Sequence, residues 1–139
     1  MKVKEMMHQR VEWVSPDTRV MTVAQKMKEH DIGAIPVGEN DRLIGMITDR
    51  DIAVRALANG KDVSGLTARD IMSKGVFWCH DSDDASEAAR IMESKKVRRL
   101  PVIDGNKRMV GMLSLGDISH AAPQRTTAEV VKAVSAHHR

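Results

Sequence analysis

Apolar and polar positions along this chain follow one order twice. Val20, Val23, Ala24 and Met27 recur at the spacing of an amphipathic helix, and so do Ala85, Ala88, Ala89 and Met92. A short apolar stretch precedes each predicted helix, VEWV in the first case and VFWC in the second, followed by a polar turn, SPDT or HDSDD. Two short apolar runs come after each helix, AIPV to LIGMI and RLPVI to MVGML. The linking turns, GEND and DGNK, make each pair a predicted hairpin. A second helix is predicted to begin near Asp49 and again near Leu115. Each copy therefore reads β-α-β-β-α, which sets the fold class as mixed α/β.

The two copies superpose residue by residue. At an offset of 65, Met7 falls on Met72, Trp13 on Trp78, Ala24 on Ala89, Met27 on Met92 and Pro36 on Pro101. After one inserted residue, an offset of 66 brings Gly45 onto Gly111, Met46 onto Met112, Asp51 onto Asp117 and Ile52 onto Ile118. Chance would not align both ends of such a unit with a single insertion, so the chain is an internal repeat. The expected division is 2–64, 67–123 and a tail, 124–139. Asp84 and Glu87 have the spacing of a capping box for the second copy's first helix; Arg19 replaces the acid in the first copy, whose helix start is less well capped. Thr126 and Glu129 repeat the box in the tail, ahead of Val130, Val131 and Val134.

Composition narrows the core. Of 139 residues 42% are apolar but only 2% aromatic, so the core must be aliphatic with methionine filling irregular gaps. The net charge of +3 permits anionic partners, yet lysine and arginine are scattered and aromatics few, which argues against nucleic acid. Cys79 stands alone, so no intramolecular disulfide forms, and one thiol suits a reducing compartment. No apolar run has the length of a membrane span and the N-terminus lacks a signal-peptide pattern, so the expected location is cytoplasmic.

At this point the residues carry a family. Met27 to Asp31, then Ile32-Gly33-Ala34-Ile35-Pro36-Val37, then Gly45-Met46-Ile47-Thr48-Asp49-Arg50-Asp51-Ile52, together with Val97 to Val102 and Gly111 to Ile118, resemble a tandem CBS-domain pair, or Bateman module, of the stand-alone bacterial type. The resemblance covers nearly the whole chain. It implies two copies packed sheet to sheet about a pseudo-twofold axis, with clefts that often hold AMP, ADP, ATP, NAD or S-adenosylmethionine. Members commonly dimerise, and some serve only as interaction surfaces.

An adenosine nucleotide presents a ribose diol that suits a carboxylate, and phosphates that suit cations or free N–H groups at a helix start. Gly45-x-x-Thr48-x-x-Asp51, with Arg50 nearby, can meet these needs, and Gly111-x-x-Ser114-x-x-Asp117 repeats the arrangement with Gly116 in place of Arg50. The same spacing also fits a capping box that only starts a helix. Both roles stay open on spacing alone, and the cap leaves the glycine unexplained. Carried over from the family, Thr48 and Asp51 share a first cleft with Arg98, Arg99 and Leu100. Ser114 and Asp117 share a second with Gly33, Ala34 and Ile35. The first has cations for phosphate; the second has none at matching positions, so it is expected to prefer less charged ligands or stay empty. Strand alternation suggests that one of Arg98 and Arg99 makes a phosphate contact.

No nucleophile with a base, phosphate-binding loop or metal quartet appears, so the chain reads as a sensor rather than an enzyme, acting through an unidentified protein partner. His80, His120, His137 and His138 match no standard metal spacing. Trp13 and Trp78 are expected to seal strand ends, and Cys79 to be half-buried and inert. A homodimer is expected because apolar helix positions (Val20, Met21, Val23, Met27; Ile52, Ala53, Ala56, Leu57; Ile118, Ala121) are more than one small core needs.

Overall fold

A computed structural model describes residues 1–9, 11–60, 62–121 and 131–132. The chain forms two compact units: Glu12–Val76, and Met1–Val11 together with Phe77–Arg139.

In the Glu12–Val76 unit, α1 (Val20–His30) buries Val20, Val23 and Met27 on one face. Arg19 stands at its N-cap and makes no side-chain cap bond, as the sequence implies. The helix stops where Asp31 turns left-handed, its N–H donating to the Met27 carbonyl. Strands β1 (Ala34–Glu39) and β2 (Arg42–Thr48) then pair antiparallel. Asn40 and Asp41, both at positive φ, form the two-residue turn between them. Helix α2 (Asp49–Asp51) follows and widens into a π turn over Ile52–Leu57. A further helix, α3 (Ala68–Ile71), completes the unit. Its core joins Val14, Ile35, Val37, Ile47, Ala56, Ala68 and Ile71 to the α1 face. The predicted VEWV strand is reduced to one parallel bridge, Val14 to Val37.

The other unit repeats the plan. Strand β3 (Cys79–His80) runs parallel to β4 (Arg99–Ile103), which pairs antiparallel with β5 (Met109–Ser114). Helix α4 (Ala85–Lys95) packs Ala85, Ala88, Ala89 and Met92 inward, and α5 (Leu115–Ala121) follows β5. The core includes Leu100, Val102, Leu113, Ile118 and, from the start of the chain, Val3. Val3 belongs to a tight helical turn, Val3–Glu5, the counterpart of Ala68–Ile71. The turn that opens each repeat thus lies in the unit built from the other repeat's later elements.

Several expectations need correction. The Asp84 carboxylate caps α4 through the Ser86 N–H (3.1 Å) and hydroxyl (2.7 Å), not through a reciprocal box with Glu87. A two-residue reach suits a short acid better, and Glu87 faces Arg90 at 3.4 Å instead. Cys79 is fully rather than half buried, and that burial pushes its thiol up to about 12. Val20, Val23, Met27, Ala56 and Ile118, thought surplus to one core, are buried inside their own units; Met21, Val54 and Leu57 stay exposed. The predicted tail helix lies outside the described residues except for Val131 and Lys132, both helical. Among the described residues no helix is long and apolar enough to cross a membrane.

Candidate functional site

Each β-hairpin ends where its second strand runs into a helix, and the candidate carboxylates sit there. At the end of β2 the Thr48 N–H donates to Asp51 Oδ2 at 2.9 Å, and the Asp51 N–H donates back to Thr48 Oγ1 at 3.1 Å. At the end of β5 the Ser114 N–H donates to Asp117 Oδ2 at 2.8 Å, and the Asp117 N–H donates to Ser114 Oγ at 3.0 Å. Both motifs are therefore reciprocal capping boxes, one of the two roles that their spacing allows. The cap uses one oxygen of each carboxylate and leaves Oδ1 for other partners. Both side chains are largely shielded, at 14% and 11% exposure, so a contact on that oxygen is made with limited competition from water.

The glycines have a different purpose from the one the sequence suggests. A Cβ on Gly45 would stand 2.5 Å from Met72 Sδ and 3.1 Å from the Ser73 carbonyl oxygen. A Cβ on Gly111 would stand 2.6 Å from Met7 Sδ and 2.8 Å from the His8 carbonyl oxygen. These are crossing points of the chain. Met46 and Ser73 exchange both backbone hydrogen bonds, at 3.1 and 2.9 Å, and Met112 and His8 do the same at 3.0 and 2.9 Å. Only glycine lets the second segment lie so close. The glycine is accounted for by packing and gives no support to a ligand role.

The other candidates can be placed within their own units. Ala34 pairs across the hairpin with Thr48, and the Asp49 N–H donates to the Gly33 carbonyl at 2.9 Å. Arg99 pairs with Ser114, and the Leu115 N–H donates to the Arg98 carbonyl at 2.8 Å. Arg50, Arg98 and Arg99 are exposed. Ile35 and Leu100 are completely buried in the cores, so neither side chain is open to a ligand. Trp13 lies over Gly38 and Trp78 meets His80 edge to face at 5.1 Å, but both indoles stay largely exposed. A depression of about 460 Å³ opens beside Trp13, Pro16, Gly38 and the Asn40–Asp41 turn, and none of the candidate ligand residues lines it.

Two neighbours of the carboxylates escaped the sequence reading. Arg55 Nε lies 3.6 Å from Asp51 Oδ1, one helical turn on. His8 Nε2 lies 3.0 Å from Asp117 Oδ1, carried there by the strap that crosses Gly111. Arg55 was legible from its four-residue spacing. His8 was not, because its approach depends on a contact between distant parts of the chain. Asp117 thus has an imidazole beside it, where matching of the repeats showed no side chain of that kind.

The CBS domain pattern matches residues 3–57 and 68–124. Hypoxic response protein 1 of Mycobacterium tuberculosis is 36% identical over 132 residues, spanning 94% of this chain and 92% of that one. The CBS domain-containing protein YhcV of Bacillus subtilis is 40% identical over 118 residues, 84% of this chain and 82% of that one. Among solved structures, hypoxic response protein I with two coordinated zinc ions superposes with a TM-score of 0.81 at 36% identity, covering 88% of this chain and all of that one. The CBS domain pair of protein MJ0100, in complex with 5′-methylthioadenosine and S-adenosyl-L-methionine, gives a TM-score of 0.77 at 28% identity, covering 86% and 94%.

Proposed function

The chain belongs to the CBS-domain family as a tandem pair, and on that premise we propose that it is a regulatory module that binds adenosine-type small molecules through Asp51 and Asp117. One observation carries this reading. In both units a shielded carboxylate is fixed by a backbone N–H through one oxygen, while the second oxygen meets only an exposed side chain, Arg55 or His8, that an outside donor can replace. A ribose diol supplies two such donors. The adenosine compounds held by the MJ0100 pair support the ligand class. Arg98 and Arg99 are our candidates for a phosphate, with AMP, ADP, ATP and NAD as the anionic ligands to try. The module would pass its occupancy to a protein partner and carry no catalytic step of its own.

The test is titration calorimetry with adenosine, AMP, ATP, NAD, S-adenosylmethionine and 5′-methylthioadenosine. The expected result is binding of at least one, lost when Asp51→Asn and Asp117→Asn are combined. Binding that survives the double substitution would sink the diol role. A second reading, a ligand-free module that works by pairing with another copy, is favoured by the exposed Met21, Val54 and Leu57. It gains if none of the six compounds binds. Zinc, seen in hypoxic response protein I, finds no group of three potential ligands among the described residues.

A further inference from the structure

Trp13 is placed differently from Trp78, its counterpart in the other repeat. A Cβ on Gly38 would run into the benzene carbons of Trp13, so the indole lies directly on the hairpin backbone. With 41% of its surface still exposed, it walls the depression of about 460 Å³ between the Pro16–Asp17 turn and the Asn40–Asp41 turn. Pro16 adds apolar surface, and Asp17, Glu39 and Asp41 supply three exposed carboxylates. Among the described residues no lysine, arginine or histidine lines this recess. Glu39 has Arg69 at 3.8 Å, too far for a hydrogen bond, and Asp17 and Asp41 have no ion pair or side-chain hydrogen bond among the described residues. The other repeat lacks each part. Ile103 stands where Gly38 does, Ser82 stands where Asp17 does, and Trp78 meets His80 instead. The one acid in its hairpin turn, Asp104, accepts from the Asn106 and Arg108 N–H groups at 2.8 and 3.0 Å. The combination is therefore particular to the Glu12–Val76 unit and is not something the repeated fold requires.

We propose that this recess is a docking site for an arginine side chain presented by a protein partner. An indole attracts a cation over its ring, and a guanidinium is planar, stacks on aromatic surfaces and offers a fork of N–H donors to carboxylates. Carboxylates gathered around one aromatic wall with no cation among them repel one another. A guanidinium placed there removes that repulsion, while its methylene stem packs on Trp13 and Pro16. The rim decides between a side chain and a free small molecule. Trp13, Asp17, Glu39, Asn40 and Asp41 are all exposed, whereas a small-molecule site encloses most of its ligand. A protein partner closes the open side with its own surface, and tryptophan and arginine are the residues on which such interfaces most often depend. The whole chain carries a net charge of +3, so a basic partner is drawn to this local patch and not to the molecule at large. Neither Asp51 nor Asp117 lines the recess, so the inference stands apart from the diol reading.

The probe is the blocked peptide acetyl-Gly-Arg-Gly-amide, whose one charge is the guanidinium. It is titrated into the full chain at low ionic strength and followed by nuclear magnetic resonance. The Trp13 indole N–H signal and the Gly38 amide signal are expected to move saturably, while the Trp78 indole signal, the internal control, stays in place. The same peptide with citrulline for arginine keeps the shape and loses the charge. It should bind about tenfold more weakly, the gap between a charge-assisted and a neutral hydrogen bond. Asp17→Asn combined with Asp41→Asn should bring the arginine peptide down to the citrulline level. Both positions are exposed, and asparagine tolerates the left-handed backbone of Asp41 (φ 64°), so the fold is kept. A lysine peptide should bind more weakly than the arginine peptide, because an ammonium has no plane to stack. No movement, equal movement of Trp78, equal binding of the citrulline peptide, or undiminished binding in the double variant overturns the proposal. A lysine peptide that binds as well as arginine removes the guanidinium from it. Ethylguanidine carries the same cation without a peptide; if it binds more tightly than the arginine peptide, the recess takes a free small molecule and the partner reading falls.

Discussion

Asp51 and Asp117 each serve two ends with one carboxylate, and substitution can separate them. Asparagine keeps an acceptor for the Thr48 N–H and loses the charge, so Asp51→Asn should cost little stability, while Asp51→Ala, which removes that acceptor, should cost about 1 kcal/mol. Both should weaken adenosine-type binding at that motif, by about 1.5–3 kcal/mol in calorimetry, because a charge-assisted contact is lost in each. Loss of stability without loss of binding in the folded alanine variant would leave the cap as the whole role. The arginines make a different demand. Arg98→Ala and Arg99→Ala should together weaken AMP far more than adenosine; equal losses would mean they shape the protein rather than meet a phosphate. Two further residues tie stability to pH. The Ser86 hydroxyl, then the Ser86 N–H, then the Met1 amino group hold the Asp84 carboxyl down at about 2. Its contribution is present above 3.8 and is lost as pH falls through about 2, so acid unfolding of wild type and Asp84→Asn should converge over that interval. Cys79 runs the other way. Its stabilisation of the folded state is present below 9.0 and is lost as pH rises toward about 12, so the stability advantage over Cys79→Ala should shrink with alkali.

Among the elements, the short segments that cross the ends of β2 and β5 decide more than their length suggests. Gly111→Ala forces a methyl group toward a backbone carbonyl that is itself hydrogen-bonded and cannot swing away. We expect a loss of roughly 1–3 kcal/mol in denaturant unfolding, with Gly45→Ala milder because the nearest backbone atom there is farther off. Val3 is completely buried among Cys79, Ala88, Met92 and Leu113. Val3→Ala should therefore cost about 2 kcal/mol, although the other fully buried residues of that core all come from the far end of the chain. A neutral result would mean the N-terminal turn is detached in solution.

For the whole molecule, the open question is association. Much of the apolar surface that argued for a dimer is spent inside the units; Met21 and Leu57 remain about half exposed, as does Val54, which the sequence did not single out, and these three in the Glu12–Val76 unit are the candidate seam. We expect sedimentation to give a dimer of the 15.4 kDa chain at micromolar concentration, and Leu57→Asp to return it to monomer, since burying an unpaired carboxylate is costly. A monomeric wild type would end the proposal.

The sequence alone determined what local spacing encodes. Helical periodicity marked α1 and α4, alternating apolar runs with polar turns marked both hairpins, and Thr48-x-x-Asp51 with Ser114-x-x-Asp117 marked the two helix starts. Each depends on residues a few positions apart, whose geometry the backbone fixes. Tertiary structure decided the rest: that Gly45 and Gly111 are crossing points, that Val3 fills the core beneath β5, and that His8 reaches Asp117. Those facts rest on contacts between segments far apart in the chain. Nothing in either segment's own pattern records them, because the second partner exists only once the fold has closed.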